Sequence, residues 1–345
     1  MFSTFLRRLC SSKAPAHIPV LSIQALEYLQ PSQNQIFIDM TFGAGGHTQK
    51  ILDSNDNVKV FALDRDPVAH EKAIEMEKKY PGRLIPLLGK FSELPVFMSR
   101  NDVTFNSVDG ILFDFGCSSM QFDEASRGFS LSKNGPLDMR MDNGRNPEQI
   151  TAAEVLAKID ETDLIKILRV YGEEKAAKKI ARAIIESRQA LYKIETTHQL
   201  AAIVSSCMSD VQRVDKIHRP AHVATKTFQA LRIFVNNELN EINYGMILAQ
   251  KYLKLNGRLV AITFHSLEDT IVKRHIHGNV IEGMANHVPL KYSSHEFVNN
   301  NELVEGIVDV SWRQLHKHVI IPENEEISSN SRSRSAKLRA AVKIK

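Results

Sequence analysis

Three acids and one glycine cluster carry the chemistry that is most readable in this chain. Asp39 closes the apolar run "IFID", and the loop behind it, "MTFGAGGHT", sets glycines at 43, 45 and 46. Asp64 closes a second run, "VKVFALD", and Asp114 closes a third, "VDGILFD". Glycines let backbone approach a ligand with no Cβ in the way, and they tolerate the positive φ of a sharp turn. An acid ending the second strand can accept hydrogen bonds from ribose hydroxyls, a role common to nicotinamide dinucleotides and S-adenosylmethionine. The dinucleotide fingerprint G-x-G-x-x-G fails, because the sixth position from Gly43 is Thr48. A phosphate loop fails as well, since no Gly-Lys-Ser/Thr follows. S-adenosylmethionine has no pyrophosphate to cradle, so it fits this loop better than a nicotinamide dinucleotide does.

The elements that must hold these residues follow from the same pattern. Apolar runs ending in an acid, joined later by "GRLVAITFHS" (257–266), read as buried parallel strands. "PVAHEKAIEMEKKY" follows Asp66 with helical spacing, and Pro67 suits a first helical turn. Strand alternating with helix predicts a doubly wound α/β sheet. Between 125 and 237 strand-like runs vanish, and "TDLIKILRVYGEEKAAKKIARAIIESRQALYK" spaces its apolar residues by three and four. That stretch is expected to be a helical insertion. The sheet domain would then be assembled from 16–124 and 238–345, with an irregular polar loop over 278–302.

Composition narrows the classes. Of 345 residues, 43% are apolar and 24% charged, an ordinary globular balance with net charge +4. No apolar run approaches the roughly 18 residues of a membrane-spanning helix. Three cysteines, Cys10, Cys117 and Cys207, make no disulfide framework or Cys-based zinc site, and no HExxH occurs, so no metal is predicted. The opening "MFSTFLRRLCSSK" is basic, serine-rich and free of acids, the composition of a mitochondrial presequence over about 1–15. Residues 331–345 carry six Lys or Arg side chains and no acid, which suits either a solvated tail or a polyanionic partner.

Ten motifs in order carry a family resemblance. They are "HIPVL" (17–21), "DMTFGAGGHT" (39–48), "LDRDP" (63–67), "DGILFDFGCSSMQ" (109–121), "RGFSLSKNGPLDMRMD" (127–142), "YGEE" (171–174), "IARAI" (180–184), "HVATKTFQALRIFVNNEL" (222–239), "GRLVAITFHSLED" (257–269) and "RSRSAKLR" (332–339). Together they resemble the RsmH (MraW) family of small-subunit rRNA cytosine N4-methyltransferases over roughly 17–340. The resemblance implies a Rossmann-like S-adenosylmethionine-dependent methyltransferase sheet with an inserted all-helical domain, in a mitochondrial member acting in the matrix. It implies cofactor contacts from Gly45, Gly46, His47, Asp64, Phe91, Asp114 and Gln121, and a substrate in small-subunit rRNA or the assembling mitochondrial small ribosomal subunit. Phe115, Cys117, Val223, Lys226 and Ser331 depart from the usual family residues.

Methyl transfer to a cytosine amine is an in-line displacement in which positioning dominates. The N4 lone pair is delocalised into the ring, so an acceptor drawing on an N–H assists attack and then takes a proton. Asp114, Asp138 and Asp142 are the candidates, with His265, Glu268 and Asp269 of "HSLED" as a further group. Asp138 could instead pair with Arg140, and Glu268 or Asp269 could cap a helix. RNA contact is expected from Lys178, Lys179, Arg182 and Lys226, with Phe129 and Phe228 as stacking rings or core. Two other readings remain: a catalytically silent RNA-binding assembly factor on the same fold, and a nicotinamide-dependent oxidoreductase, which Thr48 disfavours.

Overall fold

The computed structural model describes residues 19–208, 222–277 and 311–345. The proposed presequence, the first residues of "HIPVL" and the polar loop at 278–302 lie outside the described residues. In chain order the elements begin α1 (Ser22–Leu29), β1 (Ile36–Asp39), α2 (Gly46–Asp53), β2 (Lys59–Asp64), α3 (Pro67–Glu77), β3 (Leu84–Leu88), α4 (Leu94–Arg100), β4 (Val108–Asp114) and α5 (Ser119–Asp123). Then come α6 (Ala152–Lys158), α7 (Glu161–Val170), α8 (Ala177–Gln189), α9 (Thr197–Cys207), α10 (Thr225–Asn236) and α11 (Glu238–Tyr252). The chain closes with β5 (Leu253–Thr263), α12 (Ser266–Ile276), β6 (Trp312–Gln314), α13 (Asn324–Ser329) and β7 (Lys337–Lys343).

The seven strands form one sheet in the order β3-β2-β1-β4-β5-β7-β6. Neighbours from β3 through β5 are parallel, whereas β7 runs antiparallel to both β5 and β6. This is the doubly wound α/β sheet that the alternation predicts. Chain order reverses at β1 and β4, so the crevice beyond their carboxyl ends is the switch point where such sheets bind ligands.

Side-chain alternation along the strands feeds two cores. Phe37, Leu112 and Val260 pack with Ala25 and Leu29 of α1, Ile51 of α2 and Ala69 and Ala73 of α3. On the opposite face Ile38, Phe61, Phe113 and Ala261 pack with Met98 of α4, Ile242 and Met246 of α11 and Val272 of α12. That second core continues without a break into Leu164, Ile180, Leu200 and Leu231 of α7 to α10. The helices between β4 and β5 are therefore fastened to one sheet face by shared apolar burial. Asn237, at φ 51°, both ends α10 and starts α11.

Two stretches depart from the sequence reading. β3 has the sequence "LIPLL" and was not among the predicted strands; it lies at the sheet edge, where the missing N–H of Pro86 is tolerated. The basic segment at the end is not a solvated tail, because Lys337–Lys343 is β7, pinned between two strands.

Candidate active site

The loop after β1 is built on Asp39. Its carboxylate accepts the Thr41 N–H at 3.0 Å and the Thr48 hydroxyl at 2.6 Å, and burial raises its pKa. Thr48, the residue that breaks the dinucleotide fingerprint, is thus the brace that ties α2 to the strand end. Asp64 crosses to the same loop: its two oxygens accept the N–H of Gly43 at 2.7 Å and of Asp66 at 2.9 Å. Burial still outweighs those bonds and pushes Asp64 up to about 6.

The glycines divide into two kinds. A Cβ on Gly45 would sit 2.5 Å from Met76 Cε and 2.6 Å from the Phe42 ring, and one on Gly46 would sit 2.9 Å from Pro19. The space that a Cβ would take at Gly45 and Gly46 is filled by protein, so these two glycines permit close packing, and a ligand would meet their backbone alone. Gly43 is different: at φ 54° its missing Cβ has nothing nearer than 3.9 Å, with Ser118 across the gap. It faces the crevice between the β1 and β4 loops.

On the β4 side, the Asp114 N–H donates to Thr41 Oγ1 at 2.6 Å, which fixes the strand end. Asp114 Oδ2 lies 3.6 Å from Nε2 of His47, too far for a hydrogen bond. His47 Nε2 and Asp114 Oδ1 are both buried with no partner, although such atoms are costly to leave unpaired. A polar ligand at the switch point would satisfy both. Phe91, between β3 and α4, packs edge-on against Phe113 and Phe115 at 5.5 and 6.0 Å and supplies an apolar wall. A sulfonium nucleoside suits this donor set: an acid at the β2 end for hydroxyls, a ring wall for a base, and orphaned polar atoms beside Gly43.

Gln121 is spent within the protein. Its amide nitrogen donates to Asp66 Oδ2 at 3.0 Å and to the Met141 carbonyl at 3.2 Å, while its oxygen accepts the Ser118 N–H at 3.1 Å. Arg127 joins it, donating to Asp66 Oδ2 at 2.7 Å and to the same carbonyl at 2.9 Å. Gln121 and Arg127 thereby hold the 138–142 loop against the end of β2. Asn236 holds that loop from α10, donating to the Met139 carbonyl and accepting the Met141 N–H, both at 2.7 Å. Arg127 and Asn236 were quoted within motifs, but residue type alone named no partner for either.

The three candidate acceptors separate on the same criterion. Asp138 is held in two-pronged fashion by Arg140 at 2.8 and 2.9 Å, and Asp142 closes a turn by accepting the N–H groups of Gly144 and Asn146. Both carboxylates already accept protein donors on each oxygen, which leaves them less open to a substrate proton than Asp114. Asp114 keeps an unpartnered oxygen. In "HSLED", Asp269 binds Arg339 at 2.7 Å and Lys337 at 3.1 Å, fastening α12 to β7. Glu268 caps α12 by accepting the N–H groups of Phe264 and His265.

Sequence reasoning did not find the cluster behind the β4 loop. Arg232 of α10 donates to both oxygens of Glu238, at 2.8 and 2.9 Å, and stands 3.6 Å from Glu268. His265 Nε2 is 2.9 Å from Glu268. Glu238, His265 and Glu268 are spaced closely enough to suit a cation, and the Arg232 guanidinium already stands as a positive charge beside both glutamates. Beside them burial pushes the Cys117 thiol up to about 12, so it is an inert packing group.

Of the expected RNA contacts, Lys178 and Lys179 are exposed on α8, and Arg182 is exposed but shared with Glu186 at 3.0 Å. Lys226 instead donates to the Glu173 carbonyl at 2.9 Å, an internal tie between α10 and the turn after α7. Phe129 and Phe228 are buried core. The basic terminus is largely consumed as well: besides Arg339 and Lys337, Lys343 donates to Asn106 Oδ1 and to the carbonyls of Gln250 and Leu253. Among the described residues no helix is long and apolar enough to cross a membrane.

Known proteins resemble this chain along most of its length. The chain is 62% identical over 329 residues to a probable methyltransferase-like protein 15 homolog of Drosophila melanogaster, covering 95% of this chain and 92% of that one. It is 48% identical over 339 residues to the 12S rRNA N(4)-cytidine methyltransferase METTL15 of Mus musculus, covering 96% and 83%. A receptor-type tyrosine-protein phosphatase of Culex quinquefasciatus, mosPTP-1, is 59% identical over 337 residues; the match takes in 98% of this chain but 23% of that protein. A model described as the MraW methylase family matches residues 14–344, and the chain belongs to that family.

Proposed function

We propose that this chain transfers a methyl group from S-adenosylmethionine to N4 of a cytidine in the decoding region of mitochondrial small-subunit rRNA. The activity for which the mouse relative is named, on a 12S rRNA, supports that substrate and a mitochondrial location. We further propose the matrix as its compartment and the assembling small subunit as its partner. The observation that carries the catalytic reading is the pair of buried, unpartnered atoms at the switch point, His47 Nε2 and Asp114 Oδ1. An assembly factor without catalysis would gain nothing from leaving them unpaired.

In this reading Asp64, Gly43 to His47 and Phe91 hold the cofactor, which supplies an electrophilic methyl on sulfonium sulfur. Gln121 acts indirectly, by positioning Asp66 and the 138–142 loop. Asp114 accepts an N4–H, helps the amine nitrogen rehybridise, and takes up the proton that attack releases. The bond from its backbone N–H to Thr41 Oγ1 fixes the strand end that carries the carboxylate. Residues 16–124 and 238–345 form the cofactor half, and 125–237 offers Lys178, Lys179 and Arg182 to phosphates. The test is direct: map N4-methylcytidine in mitochondrial small-subunit rRNA from cells with and without the protein, then restore it with wild type or Asp114→Asn. A modification that persists without the protein overturns the proposal.

A further inference from the structure

We infer that the turn after α8 is a stacking platform for unpaired RNA bases, working with the lysines at the other end of that helix; this rests on the rRNA reading above. Leu191 is 91% exposed, more than any other large apolar side chain among the described residues, and Tyr192 beside it is 48% exposed. Leu191 sits at φ 60°, a left-handed conformation unfavourable for leucine. The turn is nonetheless well tied. The Leu191 N–H donates to the Arg188 carbonyl at 3.0 Å, and the Tyr192 N–H donates to the Ser187 carbonyl at 3.1 Å. Arg188 in turn clamps the carbonyls of Leu156 and Ile159 at 3.1 and 2.7 Å, which anchors the platform to the end of α6.

Charge complementarity names the partner. Lys175, Lys178 and Lys179 are exposed at the start of α8, whose first turn contains no acid. Unpaired helix N–H groups add positive potential at that end. Over the 13 residues of α8, about 20 Å at 1.5 Å each, the exposed surface changes from cationic to apolar and aromatic. Arg188 is committed to carbonyls at the far end, which leaves the exposed Lys193 beside the ring. A single nucleic-acid strand offers the matching chemistry, with phosphates for the lysines and sequence-tolerant base faces for the ring.

The test uses the full chain, a fluorescein-labelled 12-nucleotide oligocytidine and a hairpin duplex as probes, and a salt titration. Tyr192→Ala is expected to weaken oligocytidine binding about tenfold with an unchanged salt slope, to leave the duplex nearly unaffected, and to be rescued by Tyr192→Phe. Lys178→Gln with Lys179→Gln is expected to lower the slope of log K against log salt by about 1.4. Oligocytidine binding unchanged in Tyr192→Ala overturns the platform, and so does a loss confined to methylation of assembled subunits, which would make the turn a protein-docking face. If wild type forms N4-methylcytidine while Tyr192→Ala binds normally, only the platform falls. Absence of N4-methylcytidine with wild type would remove the functional reading itself.

Discussion

The two rims of the switch-point crevice are built from the same residue types in opposite states of satisfaction. On the β1–β2 rim, Asp39, Asp64 and Asp66 all accept internal hydrogen bonds, and Thr48, Gly43, Gln121 and Arg127 are the donors. Across the crevice, Asp114 of the β4 rim and His47 of α2 approach each other to 3.6 Å and leave two buried atoms unpaired. Asp39 and Asp66 are scaffold, Asp64 is braced by one N–H on each oxygen and keeps lone pairs for hydroxyls, and Asp114, held by its backbone with an open oxygen, is poised for a ligand. That contrast ranks the acids where sequence spacing could not.

Substitutions can break the contrast. Asp114→Asn removes an acceptor without changing shape, so methyl transfer should fall by about 10²- to 10⁴-fold in a radiolabelled-methyl assay. Its thermal unfolding should stay near wild type; an equal loss of both would make Asp114 scaffold. On the opposite rim the outcome should invert: Arg127→Met strands Asp66 in a buried site and should cost about 3–5 kcal/mol, read as a large drop in melting temperature.

A pH titration sharpens the comparison further. Burial raises Asp64 from 3.8 to about 6, so stability from its protonated form is present below pH 3.8 and lost as pH rises through 6. A cofactor whose hydroxyls donate to the ionised carboxylate recovers that loss. Calorimetric affinity for S-adenosylmethionine should therefore climb between pH 5 and pH 7 and then level off. A flat profile would show that Asp64 does not receive the ribose. The smallest expected effect comes from Thr48→Val, which removes one buried donor to Asp39 at a cost of about 1–3 kcal/mol in denaturant unfolding. Cofactor affinity should change little, since Thr48 faces strand and helix rather than crevice.

Much of the frame was legible because its signals are local. β1, β2, β4 and β5 announce themselves as apolar runs, and Asp66 with Pro67 marks the start of α3 by capping chemistry. β3 escaped because Pro86 argues against a strand, an argument that lapses at an edge. β7 escaped because "KLRAAVK" alternates small apolar residues with charges, and only Asp269 and distant carbonyls make those charges buriable. The strand-end pattern singled out Asp64, Asp114 and the glycine loop, and the fold brings these together at the switch point. Which acids were already taken depended on Arg127, Arg140 and Asn236, partners brought together by tertiary packing rather than by spacing.

The order of strands across the sheet has a kinetic consequence. β4 and β5 are hydrogen-bonded neighbours, yet every helix from α5 to α11 lies between them in the chain, and β7 slots between β5 and β6 although it is made after both. Long-range parallel pairing closes slowly, because the entropy of a large loop must be overcome before any contact rewards it. During vectorial synthesis or threading through a membrane pore, the first four strands would wait with a bare β4 edge until the later ones arrive. That edge is where a chaperone would gain most by binding.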